Sequence, residues 1–170
     1  MTRLDRLARA RSELMALVLA VPDDVAEEPV CGEWNLRCVL AHLSGWDTYF
    51  TAAARLLRAG AEVPFRGDSI DEWNRQMVTE RESKSWDEVR EEFVRMGEHL
   101  LEEYGRLDEG QWGQRFWPGI GATPEWAIRR VAEHYEEHLA GIKERLGGQP
   151  GGGIKSGGTG MNLSEGDYNG

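Results

Sequence analysis

Apolar side chains recur every three or four residues along most of this chain, and this period restricts the fold to packed α-helices. No segment of strand length alternates apolar and polar residues convincingly. The helical pattern covers residues 4–21, 36–57, 86–104 and 124–146. Four long amphipathic helices joined by short connections predict an all-α fold, a four-helix bundle.

Local signals predict where these helices begin and end. Side chains that can accept hydrogen bonds from first-turn N–H groups precede the later helices, and two of them form the Ser-x-x-Glu capping box. These start signals are Asn35, Ser69 with Glu72, Ser85 with Glu88, and Thr123 followed by Pro124. They add a short helix from Ile70 to the four long ones. Pro22 ends the first helix, and an acidic loop is expected after it.

The charge balance restricts the partners of the chain. Its 20 Lys and Arg against 30 Asp and Glu give a net charge of −10 and a pI near 4.9, so a phosphate backbone would be repelled and nucleic-acid binding is not expected. The longest apolar run, residues 14–21, is far too short to cross a bilayer. Two cysteines cannot form a disulfide framework, and a reducing, cytoplasmic compartment is expected.

A glycine-rich segment follows the last helix. Residues 147–170 hold 10 of the 21 glycines and few apolar side chains, too few to offset the entropy of ordering the segment. We therefore expect one folded domain over residues 1–146 and a flexible tail over 147–170. Met161, Leu163 and Tyr168 make the tail either a docking peptide for a protein partner or an inert extension.

Three of the four histidines are predicted to face the bundle interior. His134 and His138 are four residues apart, which places both imidazoles on one helix face, and His42 continues the apolar face of the second long helix. Three neutral imidazoles from two helices suit one metal ion with an open coordination position. Buried histidines that only form hydrogen bonds are the alternative. His99 lies beside the apolar stripe of its helix and is expected to be solvated.

Cys38 stands four residues before His42 on the same helix face. Its position near a helix N-terminus favours a thiolate, so it is a candidate fourth ligand. A set of one cysteine and three histidines would form a closed, structural zinc site. The alternative is that Cys38 is a small side chain that fills space in the core.

Three segments resemble the DinB-like superfamily of four-helix bundles, which includes thiol-dependent S-transferases and small bundles of the colibactin-resistance type. The segments are GEWNLRCVLAHLSGWD at 32–47, DEWN at 71–74 and RRVAEHYEEHLAGI at 129–142. The resemblance implies that His42, His134 and His138 bind a divalent metal, zinc or nickel, and that substrate enters beside it. Imidazole ligands also suit iron and copper, so spacing does not identify the metal.

A metal in this bundle suggests an enzyme that performs hydrolysis or thiol transfer on a small electrophilic substrate, with a low-molecular-weight thiol as a possible co-substrate. Aromatic residues would line the pocket, and two polar residues would orient the substrate or an imidazole. The predicted pocket residues are Trp46, Phe50, Trp73 and Tyr135, with Trp117 as a further candidate, and the polar pair Asp47 and Asn74. Two other hypotheses are a bundle that sequesters a small molecule, and an assembly or cargo protein that forms homodimers and docks through its tail.

Overall fold

The computed structural model describes residues 2–64, 69–117 and 121–147. Its elements, in chain order, are α1 Asp5–Ala20, α2 Asp23–Ala26, β1 Pro29–Cys31, β2 Trp34–Asn35, α3 Leu36–Arg58, α4 Ile70–Thr79, α5 Trp86–Gly105, α6 Glu109–Trp112 and α7 Pro124–Leu146. The four long helices α1, α3, α5 and α7 form the bundle that the periodicity predicts. The tail residues proposed to dock a partner lie outside the described residues.

The helices begin where the capping signals place them. Asn35 accepts a hydrogen bond from the backbone N–H of Cys38 at the start of α3, and Thr123 accepts one from Trp126 at the start of α7. Complete capping boxes open α4 and α5. Because these bonds span only three residues, the sequence alone predicts them well.

Packing of the bundle follows from the apolar face of each long helix. α3 packs along α5, α1 packs along α7, and α4 lies against α3. The largest fully buried side chains come from all four long helices, so the described elements share one hydrophobic core. These side chains are Leu7, Leu14, Leu36, Leu40, Leu43, Trp46, Phe50, Phe93, Leu100, Tyr104, Tyr135 and Ile142.

Two connections contain structure that the helical period does not indicate. The acidic loop expected after α1 holds α2 and then an antiparallel hairpin, in which Cys31 is paired with Trp34. Gly32 turns the hairpin with a positive φ of 58°, which glycine adopts without strain. The strands are too short to show alternation in the sequence. In the connection between α5 and α7, a capping box formed by Asp108 and Gln111 starts α6.

No helix within the described ranges is both long enough and apolar enough to span a bilayer. The longest described helices, α3 and α7, both contain charged residues.

Candidate metal centre

Three imidazole rings converge where α3 and α7 meet. His42 lies near the start of α3, and His134 and His138 lie on successive turns of α7. The Nε2 atom of His134 is 2.9 Å from that of His42 and 3.0 Å from that of His138. All three side chains are buried, with at most 2% exposed. The spacing predicted within α7 and the inward orientation of His42 together produce this cluster, which we call the histidine cluster.

The histidine cluster fits a divalent metal ion. One ligand atom from each ring lies within 4.8 Å of the others, and among the described residues no other His, Cys, Asp or Glu side chains form such a group. Zinc bonds of about 2.0–2.1 Å at tetrahedral angles separate such nitrogens by about 3.4 Å, close to the spacing here. Without a metal ion, nitrogens this close to one another can interact only through a ring N–H proton that lies between them. The cluster can therefore hold a metal ion.

Burial keeps the imidazoles in the form that binds metals. It lowers the pKa of His138 to about 4. Burial also lowers the pKa of His42 well below 6.5, and the nearby His138 lowers it further. Both rings are therefore neutral at pH 7, and neutral imidazole is the ligand form. The Nδ1 atoms of His42 and His138 are buried and have no hydrogen-bond partner among the described residues.

Cys38 and His99 are not part of the histidine cluster. Cys38 is half-buried at the start of α3, and burial raises the pKa of its thiol, which opposes the thiolate expected from the helix N-terminus. His99 is half-buried on α5 rather than fully solvated. A set of three nitrogen ligands and no thiolate matches an open metal site better than a closed, structural zinc site.

Trp34 contacts the histidine cluster, and the sequence analysis did not select it. Its ring centroid lies 5.1 Å from that of His42 with the planes at 54°, and the side chain is half-buried in the β1–β2 hairpin. The hairpin therefore covers the His42 side of the cluster. Trp34 directly precedes Asn35, the N-cap of α3. This position beside the start of the helix that carries His42 is the sequence feature that could have indicated its role.

The residues predicted to line a substrate pocket separate into two groups. Three of the aromatic residues form a cluster between α3 and α4: Trp46 stacks on Phe50 at 5.8 Å and meets Trp73 edge-on at 4.8 Å. The indole N–H of Trp46 donates to the side-chain oxygen of Asn74 at 3.0 Å. Tyr49 joins this aromatic cluster, with its ring 4.5 Å from Trp73. Their role in substrate binding stays a prediction.

Trp117, the further pocket candidate, is also buried, and its ring is stacked parallel to that of Tyr49 at 6.4 Å. It belongs to the loop before α7 and brings this loop to the aromatic cluster. Gly45, one turn beyond His42 on α3, borders a cleft of about 210 Å³ whose lining includes Tyr49 and Trp73. The cleft therefore lies near both the aromatic cluster and the α3 turn that carries His42.

The second group consists of Asp47 and Tyr135, which meet inside the bundle. The Tyr135 hydroxyl donates to Oδ2 of Asp47 at 2.6 Å, and both side chains are fully buried. Burial raises the pKa of Asp47 to about 6, while the charge of Arg11 and the Tyr135 hydrogen bond oppose the rise. Burial and the charge of Asp47 raise the pKa of Tyr135, so its hydroxyl keeps the proton.

Arg11 is a buried cation that the sequence analysis did not select. It lies on the apolar stripe of α1, four residues after Leu7 and three before Leu14, and is only 6% exposed. Its Nε donates to the Tyr135 hydroxyl at 3.3 Å, and an Nη donates to the Phe93 carbonyl at 2.9 Å. A charged residue inside an apolar stripe is a signal that the sequence does contain.

A larger hollow, of about 600 Å³, lies away from the histidine cluster. Its lining includes Arg3 of α1, Trp112 of α6, and Trp126, Arg129 and Ala132 of α7. The helical period places Arg129 and Ala132 on the opposite side of α7 from the two histidines. This hollow does not belong to the histidine site.

The fold and the site define the class of this protein. It is a helical bundle with a candidate metal centre, formed by three buried histidines between two of the long helices. A family model of the DinB superfamily matches residues 6–142, which cover most of each long helix and all three histidines. The chain belongs to the DinB superfamily, as the three sequence segments indicate. No curated protein and no solved structure matches the chain.

Proposed function

We propose that this protein is a metal-dependent enzyme that acts on a small electrophilic substrate by hydrolysis or thiol transfer. The observation that carries the proposal is the convergence of three buried imidazole nitrogens within 4.8 Å, with no thiolate or carboxylate among the grouped ligands. A divalent ion bound by three neutral ligands would retain its positive charge and lower the pKa of a water or thiol, which is the chemistry that both reactions need.

The chain's own residues would bind the ion and shape its surroundings. His42, His134 and His138 would be the ligands, and Trp34 would limit the access of water from the hairpin side. Substrate would approach along the cleft that Tyr49 and Trp73 border. Apolar walls around a charged centre strengthen electrostatic interactions with the substrate.

Metal analysis tests the first step of this proposal. Purified wild-type protein is expected to contain about one zinc, nickel or iron ion per chain. His134→Ala is expected to lose the ion, whereas His99→Ala, which alters a half-buried histidine outside the cluster, is expected to keep it. A wild-type protein that binds none of these metals at neutral pH would contradict the proposal.

Turnover measurements test the reaction class. An activated ester is the probe for hydrolysis, and an aryl chloride with a low-molecular-weight thiol is the probe for thiol transfer. We expect product beyond one equivalent of protein with one of these probes, and we expect this turnover to stop in His134→Ala. Activity that survives His134→Ala unchanged would rule out a role for the cluster.

A sequestering bundle is the second candidate function. The aromatic cluster beside the cleft favours it, because the rings of Tyr49 and Trp73 border the cleft and provide an apolar surface for a small molecule. A protein that only traps its ligand would consume one equivalent and then stop. Time courses with protein at several ratios to the electrophile separate this burst from turnover.

We further propose a cytoplasmic location and a small-molecule substrate. The chain has two cysteines, too few for a disulfide framework, which agrees with a reducing compartment. Homodimer formation and docking through residues 147–170 stay predictions. Sedimentation of the full chain and of a chain that ends at residue 146 tests both, because an assembly role for the tail requires the two to differ.

A further inference from the structure

One hydrogen-bonded chain inside the bundle connects the four long helices. Arg11 of α1 donates to the Phe93 carbonyl of α5 and to the Tyr135 hydroxyl of α7, and this hydroxyl donates to Asp47 of α3. We call Arg11, Tyr135 and Asp47 the interior network. The guanidinium of Arg11 also lies 5.1 Å from the Phe93 ring and 5.6 Å from the Tyr135 ring.

The interior network links the two helices that carry the histidine cluster. Tyr135 directly follows His134 on α7, and Asp47 lies five residues after His42 on α3. A rotation or a shift of α7 against α3 that separated His134 from His42 would also change the bond of 2.6 Å between Tyr135 and Asp47. That bond joins a hydroxyl to a carboxylate whose charge strengthens it, so stretching it is costly.

Asp47 makes its hydrogen bond to Tyr135 and not to a ring of the cluster. Within the part of the chain that the structure describes, its second oxygen, Oδ1, is buried without a hydrogen-bond partner, and the Nδ1 atoms of His42 and His138 have none either. The common arrangement, in which a carboxylate orients a ligand imidazole directly, is therefore absent between Asp47 and these two rings. A hydrogen-bonded influence of Asp47 on these two rings would therefore pass through Tyr135 and the position of α7.

We propose that Tyr135 and Asp47 are positioning residues that hold the His134–His138 turn of α7 against His42 and so set the geometry of the metal site. The inference rests on the proposed metal binding for its first test but not for its second. Arg11 supports the pair by balancing the carboxylate charge from a third helix.

Tyr135→Phe is the informative variant, because it removes one hydroxyl and keeps the ring that stacks on Phe93 at 5.7 Å. Tyr104→Phe is the matched control: Tyr104 is also fully buried, lies on α5 and has a hydroxyl that bonds to none of the described residues. Each metal-free protein is titrated with Co²⁺, and the visible absorption of the complex reports ligand geometry. We expect Tyr135→Phe to weaken Co²⁺ binding about tenfold and to change the spectrum. Tyr104→Phe is expected to leave both unchanged.

Nuclear magnetic resonance of the metal-free proteins supplies a readout that needs no metal. Tyr135→Phe is expected to shift the ring nitrogen signals of His134 and His42 and to leave those of His99 in place. Asp47→Asn keeps the side-chain volume and weakens the same hydrogen bond, so it is expected to change the same signals in the same direction. It also serves if Tyr135→Phe does not fold.

The outcomes separate the two proposals. If the wild-type protein binds no Co²⁺, the proposed function fails and the ring signals alone decide the present inference. The present inference would be overturned if both Tyr135→Phe and Asp47→Asn showed the same Co²⁺ spectra and the same ring nitrogen signals as the wild type. Equal weakening of Co²⁺ binding by Tyr104→Phe would also overturn it, because any loss of a buried hydroxyl would then have the same effect.

Discussion

At the scale of single residues, Gly97 shows how closely the Arg11 side chain of α1 approaches the backbone of α5. A Cβ atom at this position would lie 1.4 Å from the guanidinium carbon of Arg11, so only glycine leaves room for the cation. Glycine inside a helix costs about 1 kcal/mol relative to alanine. That cost is accepted here because Arg11 reaches the Phe93 carbonyl and the Tyr135 hydroxyl across α5.

Gly97→Ala is expected to lower the free energy of unfolding by about 1–3 kcal/mol, because the added methyl group must displace Arg11 from its buried hydrogen bonds. Urea denaturation measures the change. Gly105→Ala on the same helix is the control: its nearest neighbour would be 3.9 Å away, so this variant is expected to be neutral or slightly more stable. Equal stability of Gly97→Ala and the wild type would contradict the packing described for Arg11.

At the scale of elements, the hairpin and the helix caps have different roles. The hairpin, β1 with β2, contacts α7 and α3 and brings Trp34 to His42. The caps determine where α3, α4, α5 and α7 begin. The hairpin thus covers the cluster, and the caps fix the starts of the two helices that carry it.

Trp34→Ala is expected to speed the removal of bound metal by a chelator several-fold, because the substitution opens the hairpin side of the histidine cluster to solvent. Stopped-flow mixing with a coloured chelator measures the rate. Trp86→Ala is the control, since Trp86 is another half-buried tryptophan, at the start of α5, whose ring faces Arg90. Identical rates for Trp34→Ala and the wild type would show that metal leaves by another route.

Ser85→Ala is expected to lower the free energy of unfolding by about 1 kcal/mol, because it removes the acceptor for the Glu88 backbone N–H at the start of α5. The neighbouring Ser83 is exposed and precedes the capping box, so Ser83→Ala is expected to leave stability within about 0.5 kcal/mol of the wild type. Thermal denaturation of both variants is the measurement. A larger loss in Ser83→Ala than in Ser85→Ala would argue against the box.

At the scale of the whole molecule, a few buried ion pairs join the helices of a chain that carries an excess of acidic residues. Glu92 of α5 accepts from Arg81 at 3.1 Å and from Lys84 at 2.6 Å, and it is 7% exposed. Burial raises the pKa of Glu92, but the bonds from Lys84 and Arg81 outweigh burial and leave the pKa below 4.5. These two ion pairs connect the segment after α4, which carries Arg81 and Lys84, to Glu92 of α5.

A carboxylate with a lowered folded pKa stabilises the fold above its unfolded pKa and loses this contribution as the pH falls towards the folded value. The stability that Glu92 contributes is therefore complete at pH 7 and declines below a pH of about 4.5. Glu92→Gln is expected to be less stable by about 1–3 kcal/mol at pH 7, and its difference from the wild type is expected to shrink in acid. Urea denaturation at several pH values tests this, with the exposed Glu91→Gln as control. A difference that is constant with pH would rule out the charged pair.

Much of the helical framework could be predicted from local sequence. The caps at Asn35, Ser69, Ser85 and Thr123 lie within three residues of the N–H groups they bind, and the inward face of each helix follows from the spacing of apolar residues. The pairing of His134 with His138 is equally local. Such features need no knowledge of which helices are neighbours.

The sequence by itself therefore determined a bundle of four long helices, the starts of α3, α4, α5 and α7, and three histidines that face inward. Only the tertiary structure decided that the His42 ring meets those of α7, that Trp34 covers it, and that Arg11, Tyr135 and Asp47 connect across the interior. The physical reason for this division is the distance along the chain over which each interaction acts. Periodicity and capping act over three or four residues, whereas these contacts depend on how helices rotate and slide against each other when the whole core packs.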